Sequence, residues 1–244
     1  MRRLRVVSWN VGRLYTPSSN NRLDEADIPQ VARTLYELDA DVVLLQELVD
    51  QAQLAALLGR LGGYAGRLAE ACRYDRHVAA LVRERLAPAF EQEVLEPTGR
   101  GLVTATFEIA HGLRGAAHPL HFDVFDKRRR RAQAEAIAAI TAQRREPLQV
   151  VGGDLNLDPE LAGRIGDAMD VGTFALLREH FVDAGRSAGP TLLGFLRVDH
   201  LLVRGAIVER LHTRVSPGRR LPMGDHDPLV CDVVLAVDAA RANP

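Results

Sequence analysis

The sequence predicts an α/β fold in which two sheets pack face to face with helices on the outside. Three observations carry that prediction. Short apolar, β-branched segments alternate with amphipathic ones along the whole 244 residues. No internal repeat, low-complexity tract or linker interrupts the alternation. The apolar runs are short, as buried strands covered by other layers are.

Each element has its own signal. Leu4–Val11 is short, apolar and rich in β-branched residues, which predicts a strand. Asp27-Ile28-Pro29 reads as a helix start, with Asp as N-cap and Pro in the first turn, followed by Val31, Leu35 and Leu38 at helical spacing. Asp41–Gln46 is a nearly continuous apolar run and a buried strand. Gln51–Leu61 carries Leu54, Leu57, Leu58 and Leu61 on one helical face. Val78–Val82 and Leu86–Leu95 read as strands, and Gly101–Ile109 with Ala116–Phe122 as a hairpin turning near Gly112–Gly115. Lys127–Ala142 is a helix with Ala and Ile on one face, Leu148–Val151 a buried strand, and Phe174–Phe181 helical. Arg197–Val203, Ala206–Thr213 and Leu229–Val237 close the chain as strands. We expect one domain over 1–238 and a frayed tail over 239–244.

Composition narrows the function classes. The chain is 47% hydrophobic and 26% charged, an ordinary globular balance that supports a large core without metal or disulfide staples. No run of 18 uncharged apolar residues is present, which argues against a membrane span. The basic N-terminus lacks the apolar run and cleavage site of a signal peptide. Two cysteines, Cys72 and Cys231, make no disulfide framework and read as small core residues, so the expected location is the cytoplasm. A net charge of −1 argues against a surface built wholly for nucleic acid. All the basic residues but Lys127 are Arg. With Ala also abundant, a GC-rich genome explains that bias.

Polar residues of catalytic type stand at one predicted strand end after another. Asn10 ends the first strand in SWNVG, and Glu47 ends the second in LLQEL. Asp154 and Asn156 follow the strand LQVVGGDLN, Asp199 and His200 lie in RVDHLLV, and Asp225 and His226 precede the last strand in MGDHDPL. A buried strand delivers apolar residues, so this series points to a single site on a sheet rim. Taken singly, each has a bland reading: Gly152–Asn156 as a turn, Glu47 as a helix-start acid, Asp225-His226 as a turn before Pro228.

The ordered set resembles the endonuclease/exonuclease/phosphatase superfamily, with its DNase I-like fold. The resemblance runs from Val7 to Leu229 through Trp9-Asn10, Gln46-Glu47, Gly153–Asn156, Val198–His200 and Gly224–Leu229. Gly224 stands where the family usually has Ser. A sixth element, a strand ending in His-Leu, is matched by Leu120–Asp123, with His121 preferred over His111 and His118. The resemblance implies a four-layer α/β sandwich of two mixed sheets and a divalent-metal phosphoesterase. It implies Asn10, Glu47 and Asp225 as ligands of Mg²⁺ or Mn²⁺, whose chemistry suits hard oxygens. It implies Asp154 orienting the attacking water, Asn156 donating to the phosphate, and Asp199 holding His226 as an imidazolium. His121 completes the catalytic set. Abasic-site endonucleases usually have Tyr at the His121 position and an acid or amide where this chain has Gly12. Both differences count against that branch, and Gly12 also counts against a second metal site.

The basic run Lys127–Arg131 opens the helix after His121, and Arg128 and Arg131 are candidate phosphate contacts. The competing reading is a solvated face, with one Arg paired to Glu135 four residues on. The expected activity is hydrolysis of a phosphodiester of nuclease type, nucleic acid being one candidate substrate. The alternatives are a small-molecule or lipid-headgroup phosphatase, and a non-catalytic phosphate-binding module. Trp9, His77, His180 and His212 read as structural, although Tyr74–His77 falls where related enzymes place substrate-facing loops.

Overall fold

The structure, a computed structural model, describes residues 1–12, 23, 25–69, 76–217, 221 and 224–236. Cys72, Tyr74 and the expected tail lie outside the described residues. The first half contains β1 (Arg2–Asn10), α1 (Ile28–Leu38), β2 (Val42–Leu48), α2 (Gln51–Leu61), β3 (Tyr64–Leu68), β4 (His77–Arg83) and β5 (Ala89–Leu95). There follow β6 (Arg100–Ala110), β7 (Leu113–His121), α3 (Lys127–Ala142), β8 (Leu148–Asp154), α4 (Pro159–Ile165) and α5 (Ala168–His180). The chain closes with β9 (Val182–Asp183), β10 (Asp199–Arg204), β11 (Val208–Val215) and β12 (Leu229–Leu235).

Two six-stranded sheets form, in the orders β11-β12-β1-β2-β4-β3 and β5-β6-β7-β8-β10-β9. Each has one parallel pair at its centre, β1 with β2 and β7 with β8, and is otherwise antiparallel. A parallel pair needs a crossover, and α1 and α3 supply it. The central strands are buried on both faces, so alternate residues feed different cores. Val6, Leu44, Ala117 and Val150 meet between the sheets. Val7, Trp9, Val43 and Leu45 face α1 and α2 through Val31, Leu35, Leu54 and Leu57. Leu120, Val151 and Leu202 face α3 and α5 through Ala134, Ile137, Phe174 and Leu177. The result is the four-layer sandwich expected from the sequence.

Three elements carried too weak a local signal to be anticipated. β3 contains the small pair Ala65-Gly66 rather than an alternating pattern, yet it pairs with β4 and buries Tyr64. A Cβ on Gly66 would lie 3.2 Å from Leu81 and 3.3 Å from Leu58, so a larger residue here would make both leucines give by a few tenths of an ångström. α4 has seven residues, started by Asp158 accepting from the Glu160 and Leu161 amides. β9 has two residues. Boundaries also move. The expected strand at Leu86 begins at Ala89 because Glu84–Leu86 forms a 3₁₀ turn. The last helix begins at Ala168, capped by Asp167, rather than at Phe174. The hairpin turns at His111-Gly112, and Gly115 lies within β7 beneath the Phe107 ring.

Gly153 shows what the GGD sequence is for. Its φ is +155°, and a Cβ would fall 1.8 Å from the Leu120 carbonyl oxygen on the neighbouring strand. Only glycine lets β7 and β8 approach closely enough to bring His121 opposite Asp154. Gly153→Ala is expected to destabilise the protein by about 3 kcal/mol or more, because the clash is with backbone. Chemical denaturation checks this; a loss within about 0.5 kcal/mol, the scale of an ordinary surface change, would refute it.

Candidate active site

The topology brings the polar residues to one rim. β1, β2, β7 and β8 end there with Asn10, Glu47, His121 and Asp154 at or next to their carboxyl ends. β10 runs antiparallel to β8, so its first residue, Asp199, lies directly opposite Asp154. β12 runs antiparallel to β1, so Asp225 and His226, just before it, reach the same edge. The carboxyl ends of parallel strands are where ligands bind in open α/β sheets.

Asp154 is the hub. Its Oδ1 accepts the Asn156 amide at 2.8 Å, and its Oδ2 accepts Asn10 Nδ2 at 3.0 Å. Oδ2 also lies 3.8 Å from His121 Nε2 and 3.7 Å from His226 Nε2. Burial raises the Asp154 pKa against the pull of His226, and the Asp199 charge adds to the rise.

Glu47 is placed by backbone strain. It has φ +68° and sits in an irregularity of the β2–β4 pairing between Leu45 and Leu48. A bulge re-aims a side chain, and a non-glycine residue at positive φ persists where its surroundings hold it. Glu47 Oε1 meets Asn10 Nδ2 at 3.3 Å and His121 Nε2 at 3.7 Å, while Oε2 meets Arg76 Nη1 at 3.3 Å. Burial raises its pKa, with Arg76 and the Asn10 hydrogen bond opposing the rise. Gly12 is required here, since a Cβ would lie 2.1 Å from Glu47 Oε2. The space where an acid or amide would stand is taken by Glu47 itself.

Asn10 links the carboxylates through its amide. Its Oδ1 accepts the Gly12 amide at 2.9 Å, and its Nδ2 donates to both carboxylates. It is a brace between the two sheets, with its oxygen turned away from the acids.

His226 Nδ1 bonds Asp199 Oδ2 at 2.7 Å, both groups being buried. Burial alone would push the imidazolium down. Asp199, with Asp154 and Asp225 beyond, outweighs it and lifts the pKa to about 10. His226 Nε2 lies 3.8 Å from Asp225 Oδ1. Asp154, Asp199 and His226 offer ligand-type atoms within 4.8 Å of one another. The trio is a buried cluster that could hold a metal ion or handle a proton. His121 is the opposite case: burial holds it well below the ordinary range, with Arg100, His226 and Arg76 adding to the effect. Its Nδ1 is buried without a partner among the described residues, so the proton belongs on Nε2, facing the carboxylates. His118 bonds Thr104 in the core and His111 is at the surface, so of these three candidates it is His121 that stands at the site beside His226.

Asn156, at φ +50°, donates from Nδ2 to the Phe122 carbonyl at 3.0 Å. The basic run splits. Arg128 is exposed in the first turn of α3. Arg131 is held on the outer helical layer, bonded to Glu135 at 2.7 Å and to the Gly172 carbonyl at 2.8 Å, away from the rim where it was expected. Arg130 is buried on Asp170, and Lys127 pairs with Asp167. Asp126 caps the helix, offsetting the cost of these cations at its N-terminus.

Two contributors escaped the sequence reading. Trp9 is core, as expected, but its Nε1 also donates to the His226 carbonyl at 3.1 Å. Arg76 touches Glu47. Nothing local marks either contact.

A family model for the endonuclease/exonuclease/phosphatase family matches residues 7–226. The chain belongs to that family. Its members are phosphoesterase hydrolases that generally use divalent metals. No curated protein sequence matches the chain significantly. Among solved structures, an endonuclease/exonuclease/phosphatase from Bacteroides vulgatus superposes with a TM-score of 0.75 at 19% identity, covering 96% of this chain and 100% of that one. Truncated TDP2 from Caenorhabditis elegans gives 0.69 at 21% identity, over 95% and 97% of the two chains. A Bacteroides thetaiotaomicron mannosyl-6-phosphatase gives 0.70 at 19% identity, over 95% and 100%. These likenesses establish the DNase I-like fold. No helix among the described residues is long and apolar enough to cross a membrane.

Proposed function

We propose that this family member is a divalent-metal-dependent phosphodiesterase of nuclease type. The observation that carries the reading is the convergence of Glu47, Asp154, His121 and the Asp199–His226 pair on one buried rim. The donor set fits Mg²⁺ or Mn²⁺. Glu47 and Asp225 present hard oxygens, and the raised pKa of Glu47 marks a buried anion that a cation would satisfy. When bound, the ion neutralises charge developing on a phosphoryl oxygen. The chain supplies the rest. Asp154, fixed by Asn10 and the Asn156 amide, accepts a hydrogen from the attacking water and orients it. His226, kept cationic by Asp199, donates from Nε2 to phosphoryl or leaving-group oxygen. Neutral His121 donates from Nε2. Asn156 keeps one amide hydrogen beyond the one given to Phe122 and offers it to the phosphate. Arg128 is the phosphate contact retained from the basic run.

A diester carries a group on either side of the phosphorus, and the rim has surfaces for two. Phe125 follows His121 on one side of β8. Leu193 and Phe195 precede β10 on the other, where Leu193 N–H donates to the Asp225 carbonyl at 2.8 Å. All three are exposed, and exposed aromatics suit planar leaving groups or bases.

The test is hydrolysis of bis(p-nitrophenyl) phosphate with Mg²⁺, with Mn²⁺ and after chelation, beside the corresponding monoester. Turnover of the diester that chelation abolishes supports the reading; preference for the monoester would move it to a phosphatase. Glu47→Gln is expected to weaken Mn²⁺ binding and activity together, each by tenfold or more. Unchanged Mn²⁺ affinity would remove Glu47 from the ligands.

A further inference from the structure

We propose that Arg76 is a built-in counter-ion for the metal-ligand carboxylate, and that it couples metal binding to phosphate binding. The inference rests on the reading of Glu47 as a ligand. Glu47 divides its two oxygens: Oε1 faces Asn10 and His121, and Oε2 faces the Arg76 guanidinium at 3.3 Å. The carboxylate is nine-tenths buried, while the Arg76 side chain, 26% exposed, stands at the edge of the cluster. In the metal-free protein this ion pair holds Oε2 on the side away from Asn10 and His121, so the carboxylate is already oriented.

The same pair has a second consequence. A divalent cation on Glu47 shares that carboxylate with a guanidinium, and two cations on one anion weaken each other's hold. A phosphate group reverses the balance. Guanidinium pairs readily with phosphate oxygens, so an anion arriving at the rim draws Arg76 toward itself and leaves Glu47 to the metal. Metal and phosphate then bind better together than apart, and the coupling is reciprocal. Gly12 keeps the arrangement possible, because any larger residue would occupy the space beside Oε2.

The experiment is a Mn²⁺ titration of the full chain, by calorimetry or by the electron paramagnetic resonance of free Mn²⁺, with and without inorganic phosphate. Blanks for Mn²⁺ binding to phosphate are subtracted. Wild type, Arg76→Gln, Arg76→Lys and Glu47→Gln are compared, with thermal melts in chelator to confirm folding. Arg76→Gln is expected to bind Mn²⁺ about tenfold more tightly without phosphate and to lose most of the tightening that phosphate brings to wild type. Arg76→Lys, which keeps the charge, should stay near wild type in both respects. Unchanged or weaker Mn²⁺ binding in Arg76→Gln, or phosphate coupling equal to wild type, would overturn the proposal while leaving Glu47 as a ligand. If Glu47→Gln leaves Mn²⁺ binding intact, the parent reading fails and this inference fails with it.

Discussion

Asp154→Asn is expected to lower the metal-dependent turnover of an aryl phosphodiester by about 10³-fold, within the range of losing a positioned base. The substitution keeps the shape but replaces one of the two acceptor oxygens, the one that meets Asn10 Nδ2, with an N–H donor. An amide oxygen still accepts from Asn156 N–H, but the group no longer takes a proton from water. Among the described residues Asp154 is the one acid that meets Asn10, His121 and His226 at once, so the loss should fall on kcat more than on KM. A second readout separates chemistry from folding. The wild-type carboxylate is buried and its ionised form is disfavoured. Removing the buried charge offsets the lost hydrogen bond from Asn10, so the metal-free variant should stay within about 1.5 kcal/mol of wild type at pH 8. A variant that keeps a tenth of the activity, or one that unfolds, would show that Asp154 does something else.

His226→Ala is the second large effect, with turnover expected to fall by about 10²- to 10³-fold through loss of the cation beside the phosphate. The structure adds a stability cost that the residue pattern alone does not reveal. Asp199 is buried and His226 is its partner at 2.7 Å. Stranding a buried charge typically costs about 3 kcal/mol or more. The pH dependence identifies the pair. His226 titrates near 10 in the folded protein and near 6.5 when unexposed to such partners. Its stabilisation is therefore complete below about pH 6.5 and is lost as pH rises through about 10. Denaturation of the chelated protein between pH 6 and 10 should show this decline in wild type and lack it in His226→Gln. A slope unchanged in the variant would assign it to another group. Mn²⁺ affinity should persist in His226→Gln, since the proposed ligands are Glu47 and Asp225.

Much of the site was legible because strand ends announce themselves. A buried strand offers apolar side chains until it reaches the rim, so Asn10, Glu47, Asp154 and Asp199 stand out against Val, Leu and Gly. Lys127–Ala142 and Gln51–Leu61 were legible from the helical period of their apolar residues, and the structure adds that Asp126 and Asp50 cap their starts. β3 and β9 were not, since each is held by pairing to a neighbour rather than by its own pattern. The side of α3 to which Arg131 turns was not legible for the same reason. Whether a cation at a helix start faces a ligand or a neighbouring helix depends on what α5 brings alongside.

What the sequence determined by itself is the alternation of strands and helices and the order of acids, amides and histidines along the rim. These follow from periodicity and from residue type, each read within a few positions. What only the tertiary structure decided is which atom of each group points where. Trp9 supports His226 across 217 residues of chain, Asn10 braces Asp154 across 144, and Arg76 meets Glu47 across 29. Such contacts exist only after both sheets have packed. Backbone strain at Glu47, with the glycine beside it at Gly12, then selects one carboxylate oxygen for Asn10 and His121 and the other for Arg76. Local propensity cannot specify that division, because the chain segments that impose it meet only through long-range packing.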